Sequence, residues 1–395
     1  MRNPLSLYVH IPFCSLKCSY CDFNSYANLE HLVPEFTRAL TAEMRLWSPA
    51  MAGRPVPTVF FGGGTPTLLP LEHMQSIMEA LRGSFELTAD AEITTEANPG
   101  TINLDYLRGL VALSFNRLSF GVQSFDDSEL LALDRIHTAD DARQGYAWAR
   151  QAGFPRINLD LIYGLPVQTL ERWQSNVEQA LALGPEHLSL YALTVEEGTK
   201  LAYDIDHGRV PEPDGDLQAD MWDWSRERMA AAGYEHYEIS NWARPGEECR
   251  HNLVYWQNGD WLGVGPGAHS LLAGVRFADV YSPAQYVRLV DEAAARDLPE
   301  AERDLIHAMP QVTFVDEQTP ELQMADTAIL ALRLNDGLDV AAFEERFGTR
   351  IEALYGPQLA ELTSLGFLER ANCRLRLTDR GRYLANEVFV RLLPD

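Results

Sequence analysis

Residues 7–26 read Leu-Tyr-Val-His-Ile-Pro-Phe-Cys-Ser-Leu-Lys-Cys-Ser-Tyr-Cys-Asp-Phe-Asn-Ser-Tyr. Cys14, Cys18 and Cys21 stand here at C-x3-C-x2-C spacing, on a predicted tight loop after a strand-like run. An iron–sulfur cube has four irons and normally takes four thiolates, so three cysteines leave one iron open to a chelating small molecule. The alternative is a zinc knuckle, but zinc usually takes four protein ligands, and no fourth Cys or His follows at short range. The loop therefore favours a [4Fe-4S] cluster held by three thiolates.

The length, charge and cysteine content of the chain limit the classes of protein to which it can belong. The chain has 395 residues, enough for a sizeable core and more than one domain. Its 57 acidic residues against 32 Lys and Arg give a net charge of -25. Such a surface repels a phosphate backbone, which argues against a nucleic-acid partner. The five cysteines are an odd number with three in one loop, so they form no disulfide framework, and we expect a reducing compartment.

The sequence also informs the expected location. Residues 1–7 lead directly into the cysteine motif without an apolar targeting segment. No stretch approaches the ~18 uninterrupted apolar residues of a spanning helix. We expect a cytoplasmic protein, and peripheral membrane contact stays open.

From residue 5 to 193, short β-rich apolar runs alternate with stretches of helical periodicity, a pattern typical of βα units around a parallel sheet. The predicted strands cover residues 5–11, 58–62, 92–97, 117–123, 156–164 and 187–193. The predicted helices between them cover residues 34–47, 71–82, 103–113, 138–152 and 170–183. Six βα units are too few for a closed eight-unit barrel.

Polar residues follow the predicted strands, where βα folds place their chemistry. Residues 62–67 read Gly-Gly-Gly-Thr-Pro-Thr, and glycines there let backbone amides approach a ligand. Glu96, Gln123 and Asp160 stand at or near later strand ends, and Arg135 follows the fourth. A plain glycine turn and ordinary surface charges are the alternatives for each feature alone. Their succession beside the cysteine loop favours a shared site.

The cysteine spacing resembles that of the radical S-adenosylmethionine (SAM) superfamily. Residues 8–14 and 62–67 together resemble its oxygen-independent coproporphyrinogen oxidase branch, and the resemblance runs along nearly the whole chain. It implies an α/β fold with an open, partial βα barrel. It also implies that SAM occupies the fourth iron and that an electron from the cluster splits its sulfonium to a 5'-deoxyadenosyl radical. The residues implied in SAM binding are Tyr8, Tyr20, Gly63, Gly64, Thr65, Glu96, Gln123, Arg135 and Asp160.

Residues 196–320 break the βα rhythm and are predicted to form an accessory α+β region after a partial barrel at 1–195. A polar connection at 204–216 precedes a helix at 216–232 and an edge strand at 234–242. Residues 263–269 contain G-x-G, but Pro266 and the missing helix pattern argue against a dinucleotide loop.

Residues 251–256 read His-Asn-Leu-Val-Tyr-Trp and match the H-N-x-x-Y-W motif of a haem-chaperone branch of the family. The match implies that His251 ligates haem, and imidazole is a common axial ligand. On a helix, Tyr255 would lie one turn from His251. Arg244 and Arg250 are candidates for pairing the haem propionates. A core histidine is the alternative, and His236 and His269 are rival ligands.

Residues 321–395 are predicted to form a small winged-helix-like domain. Helices at 322–333, 340–347 and 351–365 precede a hairpin at 368–377 and a final helix after Thr378 and Asp379. Five arginines lie between 370 and 382, yet nine Lys or Arg stand against twelve Asp or Glu over the domain, a net of -3. Nucleic-acid contact is therefore disfavoured.

Three functions stay open. One is a haem chaperone that delivers haem to acceptor proteins, with membrane respiratory enzymes as candidate acceptors. The second is an oxygen-independent coproporphyrinogen III oxidase, which decarboxylates propionate side chains, and the third is another radical SAM enzyme. Oxidases of this branch carry a further cysteine where this chain has Asp22 and Phe23, and an N-terminal segment before residue 8, so the chaperone is favoured. No catalytic residue is assigned, and Cys249 and Cys373 are expected to be ordinary thiols.

Overall fold

The computed structural model describes residues 2–394. Their strands, in chain order, are β1 (Ser6–Ile11), β2 (Phe13–Cys14), β3 (Tyr26–Ala27), β4 (Pro55–Gly63), β5 (Glu86–Ala97), β6 (Arg117–Gln123), β7 (Arg156–Tyr163), β8 (His187–Ala192), β9 (Glu235–His236), β10 (Asn241–Ala243), β11 (Trp261–Val264), β12 (His269–Leu272), β13 (Val275–Asp279), β14 (Val312–Glu317), β15 (Leu338–Asp339), β16 (Leu368–Ala371) and β17 (Arg374–Leu377). Within the described chain, twelve of these strands form one mixed sheet in the order β14-β13-β12-β11-β1-β4-β5-β6-β7-β8-β10-β9.

The middle of this sheet is the predicted βα core. β1, β4, β5, β6, β7 and β8 pair in parallel in that order, and they match the six predicted strands. The two ends of the sheet, β14 and β9, are not paired with each other, so the barrel is open as predicted. β11 adds a parallel strand on the other side of β1, with Gly263 opposite Tyr8. The sequence reading missed β11 because four residues in a glycine-rich stretch show no usable periodicity.

The helices of residues 2–394, in chain order, are α1 (Val33–Met51), α2 (Leu71–Ser84), α3 (Leu104–Ala112), α4 (Asp127–Ala132), α5 (Ala139–Ala152), α6 (Leu170–Leu183), α7 (Lys200–Asp206), α8 (Gly215–Ala231), α9 (Arg250–Trp256), α10 (Pro283–Ala294), α11 (Glu302–Ala308), α12 (Pro320–Ala331), α13 (Val340–Phe347), α14 (Ile351–Ser364), α15 (Asp379–Tyr383) and α16 (Ala385–Phe389). Local signals set their ends. Thr138 and Asp141 form a capping box at the start of α5, and Gly153 ends it in the left-handed conformation. The buried faces of the βα helices pack on the sheet, where Trp47 and Trp173 are fully buried.

Two predicted elements were wrong in detail. The edge strand predicted at 234–242 is a hairpin, in which β9 and β10 pair in antiparallel fashion around a turn. Residues 237–240 contain neither Gly nor Pro, so the alternating pattern concealed the turn. The predicted final helix is divided into α15 and α16 at Leu384, whose φ of -115° is not helical.

The C-terminal residues form a unit with its own hydrophobic cluster. β15 lies between helices α12 and α13, and α14 precedes the β16–β17 hairpin. The three strands form a sheet of order β15-β17-β16, which is the winged-helix-like arrangement expected. Phe343, Ile351 and Leu362 are among its buried residues. The domain limits at 195 and 320 stay predictions. No helix within residues 2–394 is long and apolar enough to cross a membrane.

The glycine-rich stretch after β11 gives a test of the fold. Gly265 has φ +106° and lies so close to β1 that an added Cβ would stand 2.6 Å from the His10 carbonyl oxygen. We expect Gly265→Ala to lower the free energy of unfolding by more than about 1 kcal/mol, because strain and overlap add. Gly246→Ala is the matched control, since its φ is +82° but nothing lies within 4 Å of the added atom. Equal losses in chemical denaturation of the two variants would contradict this account.

Candidate functional site

The cysteine loop leaves β1 at the carboxyl edge of the parallel strands and is held by backbone hydrogen bonds. The Tyr26 amide donates to the Pro12 carbonyl at 2.7 Å, which closes the loop. The Leu201 amide donates to the Ser19 carbonyl at 2.8 Å, and the Cys21 amide donates to the Cys18 carbonyl at 3.2 Å. All three cysteines of the loop are free and half-buried. Their thiols are thus positioned by main-chain contacts rather than by one another.

Each thiol of the loop lies near at least one polar group. The Cys14 sulfur lies 3.8 Å from the Thr65 hydroxyl, and the Cys21 sulfur lies 3.9 Å from the Ser25 hydroxyl. The Arg135 guanidinium donates to the Cys18 sulfur at 3.3 Å. Burial raises the pKa of the Cys14 and Cys21 thiols, so the thiolates that bind metal need a positive partner to form. Among residues 2–394, no three His, Cys, Asp or Glu side chains converge as a site for a single metal ion.

The glycines after β4 are required by close approach. Gly63 has φ +109°, and an added Cβ would lie 2.5 Å from the His10 ring. At Gly64 the added atom would lie 2.5 Å from the Phe13 carbonyl oxygen. The Gly63 amide donates to a Glu96 carboxylate oxygen at 3.2 Å, and the Thr65 amide donates to the Phe13 carbonyl at 2.7 Å. The glycine loop is therefore fixed against the cysteine loop.

The predicted site residues converge on one cavity of about 130 Å³, which we call the cluster cavity. Those that line it are Cys14, Cys18, Cys21, Tyr20, Gly63, Gly64, Thr65, Glu96, Gln123, Arg135 and Asp160. Tyr8 and His251 instead line an adjoining open cavity of about 570 Å³, which we call the large cavity. The two cavities share Tyr20, Cys21, Phe23, Glu96, Gln123 and Asp160.

The cluster cavity has carboxyls on one side and a guanidinium on another. Burial raises the pKa of Glu96 to about 8, and the nearby Asp160 adds to the shift. Burial also raises the pKa of Asp160, although Asn158 and Ser119 donate to it at 2.7 and 3.2 Å. Arg135 donates to the Gly121 carbonyl at 2.6 Å besides the Cys18 sulfur, with no carboxylate partner among the residues described. This arrangement suits a ligand with a cationic group and a carboxylate.

Gln123 is presented by a bulge in β6. The register between β6 and β7 shifts between Gly121 and Gln123, and Gln123 has a φ of +68°. Bulges and left-handed residues of this kind are common beside functional sites, where they redirect a side chain. With this bulge, Gln123 lines both the cluster cavity and the large cavity.

His251 lies on α9 with only 1% of its surface exposed, and its ring stacks on Phe60 at 5.4 Å between centroids. Its Nδ1 lies 2.9 Å from the Thr58 hydroxyl and its Nε2 lies 2.9 Å from the Tyr255 hydroxyl, one turn along the helix. Because Thr58 donates to Ser6 at 2.7 Å, Nδ1 carries the proton and Nε2 accepts from Tyr255. Burial lowers the pKa of His251 to about 3. The imidazole is therefore neutral, with its free lone pair covered by Tyr255.

The other residues considered for haem lie elsewhere. Arg250 pairs with Asp90 at 3.3 Å, and Arg244 donates to the Pro185 carbonyl at 3.3 Å, so neither lines the large cavity. His269 is exposed on β12, and His236 lies on β9 at the sheet edge. Cys249 is buried with its sulfur 3.7 Å from a Glu92 carboxylate oxygen, whereas Cys373 is exposed.

The sequence reading missed several polar residues of the large cavity, among them Arg117, Asn158 and His187. His187 bridges Asn158 at 2.7 Å and the Tyr237 hydroxyl at 2.8 Å. Asn158 precedes Asp160 by two residues on β7, so the period-two pattern of a strand places both on one face and could have indicated Asn158.

Comparisons with known proteins show the family of the chain. The Radical SAM superfamily profile matches residues 8–180, and the HemN C-terminal domain profile matches residues 318–384. A protein of Escherichia coli (strain K12) named heme chaperone HemW is 44% identical over 409 residues, covering 99% of each chain. The HemW of Mycobacterium tuberculosis is 37% identical over 394 residues, covering 99% of this chain and 95% of the relative. The chain belongs to the HemW family.

A solved structure of another radical SAM protein also matches this chain. Coproporphyrinogen III oxidase (HemN) from Escherichia coli, described as a radical SAM enzyme, superposes with a TM-score of 0.84 at 28% identity. The match covers 98% of this chain and 90% of HemN. The open barrel and the C-terminal unit are thus shared between the HemW family chain and the oxidase.

The protonation of Glu96 can be tested in protein that contains no iron–sulfur cluster. Its pKa is about 8 in the folded state against an ordinary value near 4.5, so between these pH values the folded protein keeps a proton that the unfolded chain loses. The free energy of unfolding should therefore fall as pH rises from about 4.5 to about 8. In Glu96→Gln that fall should be shallower, as measured by urea denaturation across this range.

The control for this measurement is Glu79→Gln, at an exposed position on α2. It should follow the wild-type dependence on pH. A Glu96→Gln profile parallel to that of the wild type would show that the carboxyl is not protonated in the folded state.

Proposed function

We propose that this HemW family chain is a haem chaperone, which binds a [4Fe-4S] cluster with SAM on its fourth iron, binds haem, and passes haem to acceptor proteins. The observation that carries the proposal is the convergence of three free thiols, the glycine loop and Arg135 on one cavity. Cytoplasmic location and membrane respiratory acceptors belong to the proposal, as does the absence of a nucleic-acid partner, which the charge of -25 supports.

The residues present fit the cluster and SAM. Cys14, Cys18 and Cys21 would hold three irons, with the Arg135 guanidinium in hydrogen-bond contact with the Cys18 sulfur. Arg135 is also the cation suited to the carboxylate of SAM. Glu96 and Asp160 would receive cationic groups, since an added positive charge favours ionisation of both carboxyls. When bound, the cluster supplies one-electron chemistry to the SAM sulfonium.

Replacement of the three cysteines tests the cluster. The triple variant Cys14→Ala, Cys18→Ala, Cys21→Ala should lose iron and sulfide after anaerobic reconstitution, because no thiolate remains in the loop. Circular dichroism should change little, since the sheet and its helices have their own core. Cys373→Ala is the control and should keep the full cluster. A triple variant that retains four irons and four sulfides would refute the assignment.

The sequence motif makes His251 the candidate ligand of the haem iron. In the structure, its Nε2 is not free to bind iron. Its Nε2 must lose the hydrogen bond from Tyr255 before the lone pair can reach iron. Tyr255→Phe removes that bond, so it should bind haemin a few-fold more tightly, as the ~1 kcal/mol of a neutral hydrogen bond implies. His251→Ala should lose the Soret signature of imidazole ligation.

Titration of haemin by absorption into the wild type and both variants measures this effect. Unchanged spectra and affinities in the two variants would place the iron ligand elsewhere. Absence of binding to all three proteins would remove the chaperone proposal.

One observation favours the oxidase as the second candidate, namely that the large cavity adjoins the cluster cavity and could hold a substrate there. Among the residues that line it, Arg117 carries the single guanidinium, which is one cation against the four carboxylates of coproporphyrinogen III, and this disfavours that substrate. Anaerobic incubation of reconstituted protein with SAM, a strong reductant and coproporphyrinogen should yield no protoporphyrinogen. Stoichiometric product would establish the oxidase instead.

A further inference from the structure

A second large cavity lies between the sheet edge and the C-terminal unit. It has a volume of about 820 Å³ and is bounded by α8 and β9 on one side and by α15 and α16 on the other. Much of its wall is apolar, including Trp222, Ile239, Leu384 and Phe389. Of the residues that line the large cavity, only Ala192 is shared. We call it the edge cavity.

Two guanidinium groups line the edge cavity without an ionic partner. Arg333 and Arg382 are both half-buried, and neither side chain has a carboxylate within ion-pair distance among residues 2–394. Burial lowers the pKa of both groups. The Nε atom of Arg333 is buried with no hydrogen-bond partner in the described structure. The Arg333 guanidinium lies 4.9 Å from the centroid of the Phe389 ring and 5.7 Å from that of Trp256, and the buried carboxyl of Glu238 acts on it from beyond ion-pair distance.

Two nearby arginines that do not line this cavity are paired with carboxylates, whereas Arg380 donates to the Leu365 carbonyl. Arg226 meets Asp379 at 3.0 Å, and Arg376 meets Glu369 at 2.6 Å. Glu387 is exposed at the edge cavity and pairs with neither of the unpartnered groups. A half-buried guanidinium without a partner costs folding free energy, and a bound anion offsets that cost. The edge cavity is therefore built for an apolar molecule that carries negative charge.

We propose that the edge cavity binds the haem cargo, with Arg333 and Arg382 pairing its two propionates and the apolar wall covering the macrocycle. The inference rests on the proposed chaperone function and adds a site distinct from His251. Charge supports the edge cavity for a dianion, because two guanidinium groups line it, whereas a single one, that of Arg117, lines the large cavity.

His236 is the imidazole of this site. It lines the edge cavity, stacks on Trp242 at 4.4 Å between centroids, and its Nε2 lies 3.1 Å from the Ile239 carbonyl. Burial lowers the pKa of His236 to about 4, which keeps the ring neutral, the form that ligates iron. Because a carbonyl oxygen only accepts, Nε2 carries the proton of the ring. Ligation through Nε2 therefore requires transfer of that proton to Nδ1, which is buried without a hydrogen-bond partner in the described structure, and release of the carbonyl of Ile239, a residue that is 43% exposed in the hairpin turn.

The test uses the full chain with haemin and with metal-free protoporphyrin IX, which keeps the two carboxylates but cannot take an iron ligand. Arg333→Gln and Arg382→Gln should each weaken binding of both molecules about tenfold or more, as loss of a charge-assisted hydrogen bond implies. The Lys variants at the same positions should recover part of the affinity. If circular dichroism and thermal unfolding show that a Gln variant does not fold, the Lys variant at that position provides the binding test instead.

Arg380→Gln is the matched control, because Arg380 lies on the same helix but donates to the Leu365 carbonyl at 3.1 Å and lies over Phe367. It should bind both molecules like the wild type. Wild-type affinity of the Arg333 and Arg382 variants for both molecules would overturn the edge site and leave the chaperone function standing. Failure of the wild type to bind haemin would instead refute both.

Discussion

The structure depends on the contact between two loops at the carboxyl edge of the parallel strands. The glycine loop after β4 reaches the cysteine loop only because Gly63 and Gly64 have no Cβ, since the added atoms would overlap the His10 ring and the Phe13 carbonyl. That contact places Thr65 beside Cys14 and the Gly63 amide beside Glu96. Three thiols, two carboxyls and a guanidinium thereby share one small cavity. Neither loop alone would define such a site.

Buried charge is the second theme of the molecule. At the cluster cavity, Glu96 and Asp160 have raised pKa values because burial penalises their ionised forms. At the edge cavity, Arg333 and Arg382 are positive groups with no carboxylate within ion-pair distance in the described chain. The two places therefore suit ligands of opposite charge, a sulfonium and ammonium compound at the first and a dicarboxylate at the second. In each case, a bound ligand of opposite charge would offset the free-energy cost of burying these groups without a partner.

The sequence predicted the features that depend on local pattern. The six parallel strands, the helices packed on them and the C-terminal hairpin follow from periodicity and capping, and the cysteine and glycine loops follow from motif. The short strand β11 and the β9–β10 hairpin were not predicted, because each strand has too few residues to show an alternating pattern. The hydrogen bonds that cover His251 come from Thr58 and Tyr255, and no spacing rule links Thr58 to α9.

The edge cavity is the clearest case of what sequence could not provide. Its walls come from Trp222 and His236 at the sheet edge and from Arg333 and Arg382 in the C-terminal unit, so it exists only after the two parts pack. In the sequence, Arg382 belongs to a run of five arginines, and its unpaired state becomes visible only when the neighbouring arginines are seen with their carboxylates.

The three-cysteine loop should leave one iron of the cluster open for SAM. Electron paramagnetic resonance and electron–nuclear double resonance can detect this on the anaerobically reconstituted, reduced protein, with and without SAM labelled with nitrogen-15 at its amino group. SAM should change the cluster spectrum, and the labelled nitrogen should show hyperfine coupling to the cluster. Identical spectra with and without SAM, in protein that holds four irons and four sulfides, would show that SAM does not bind the open iron.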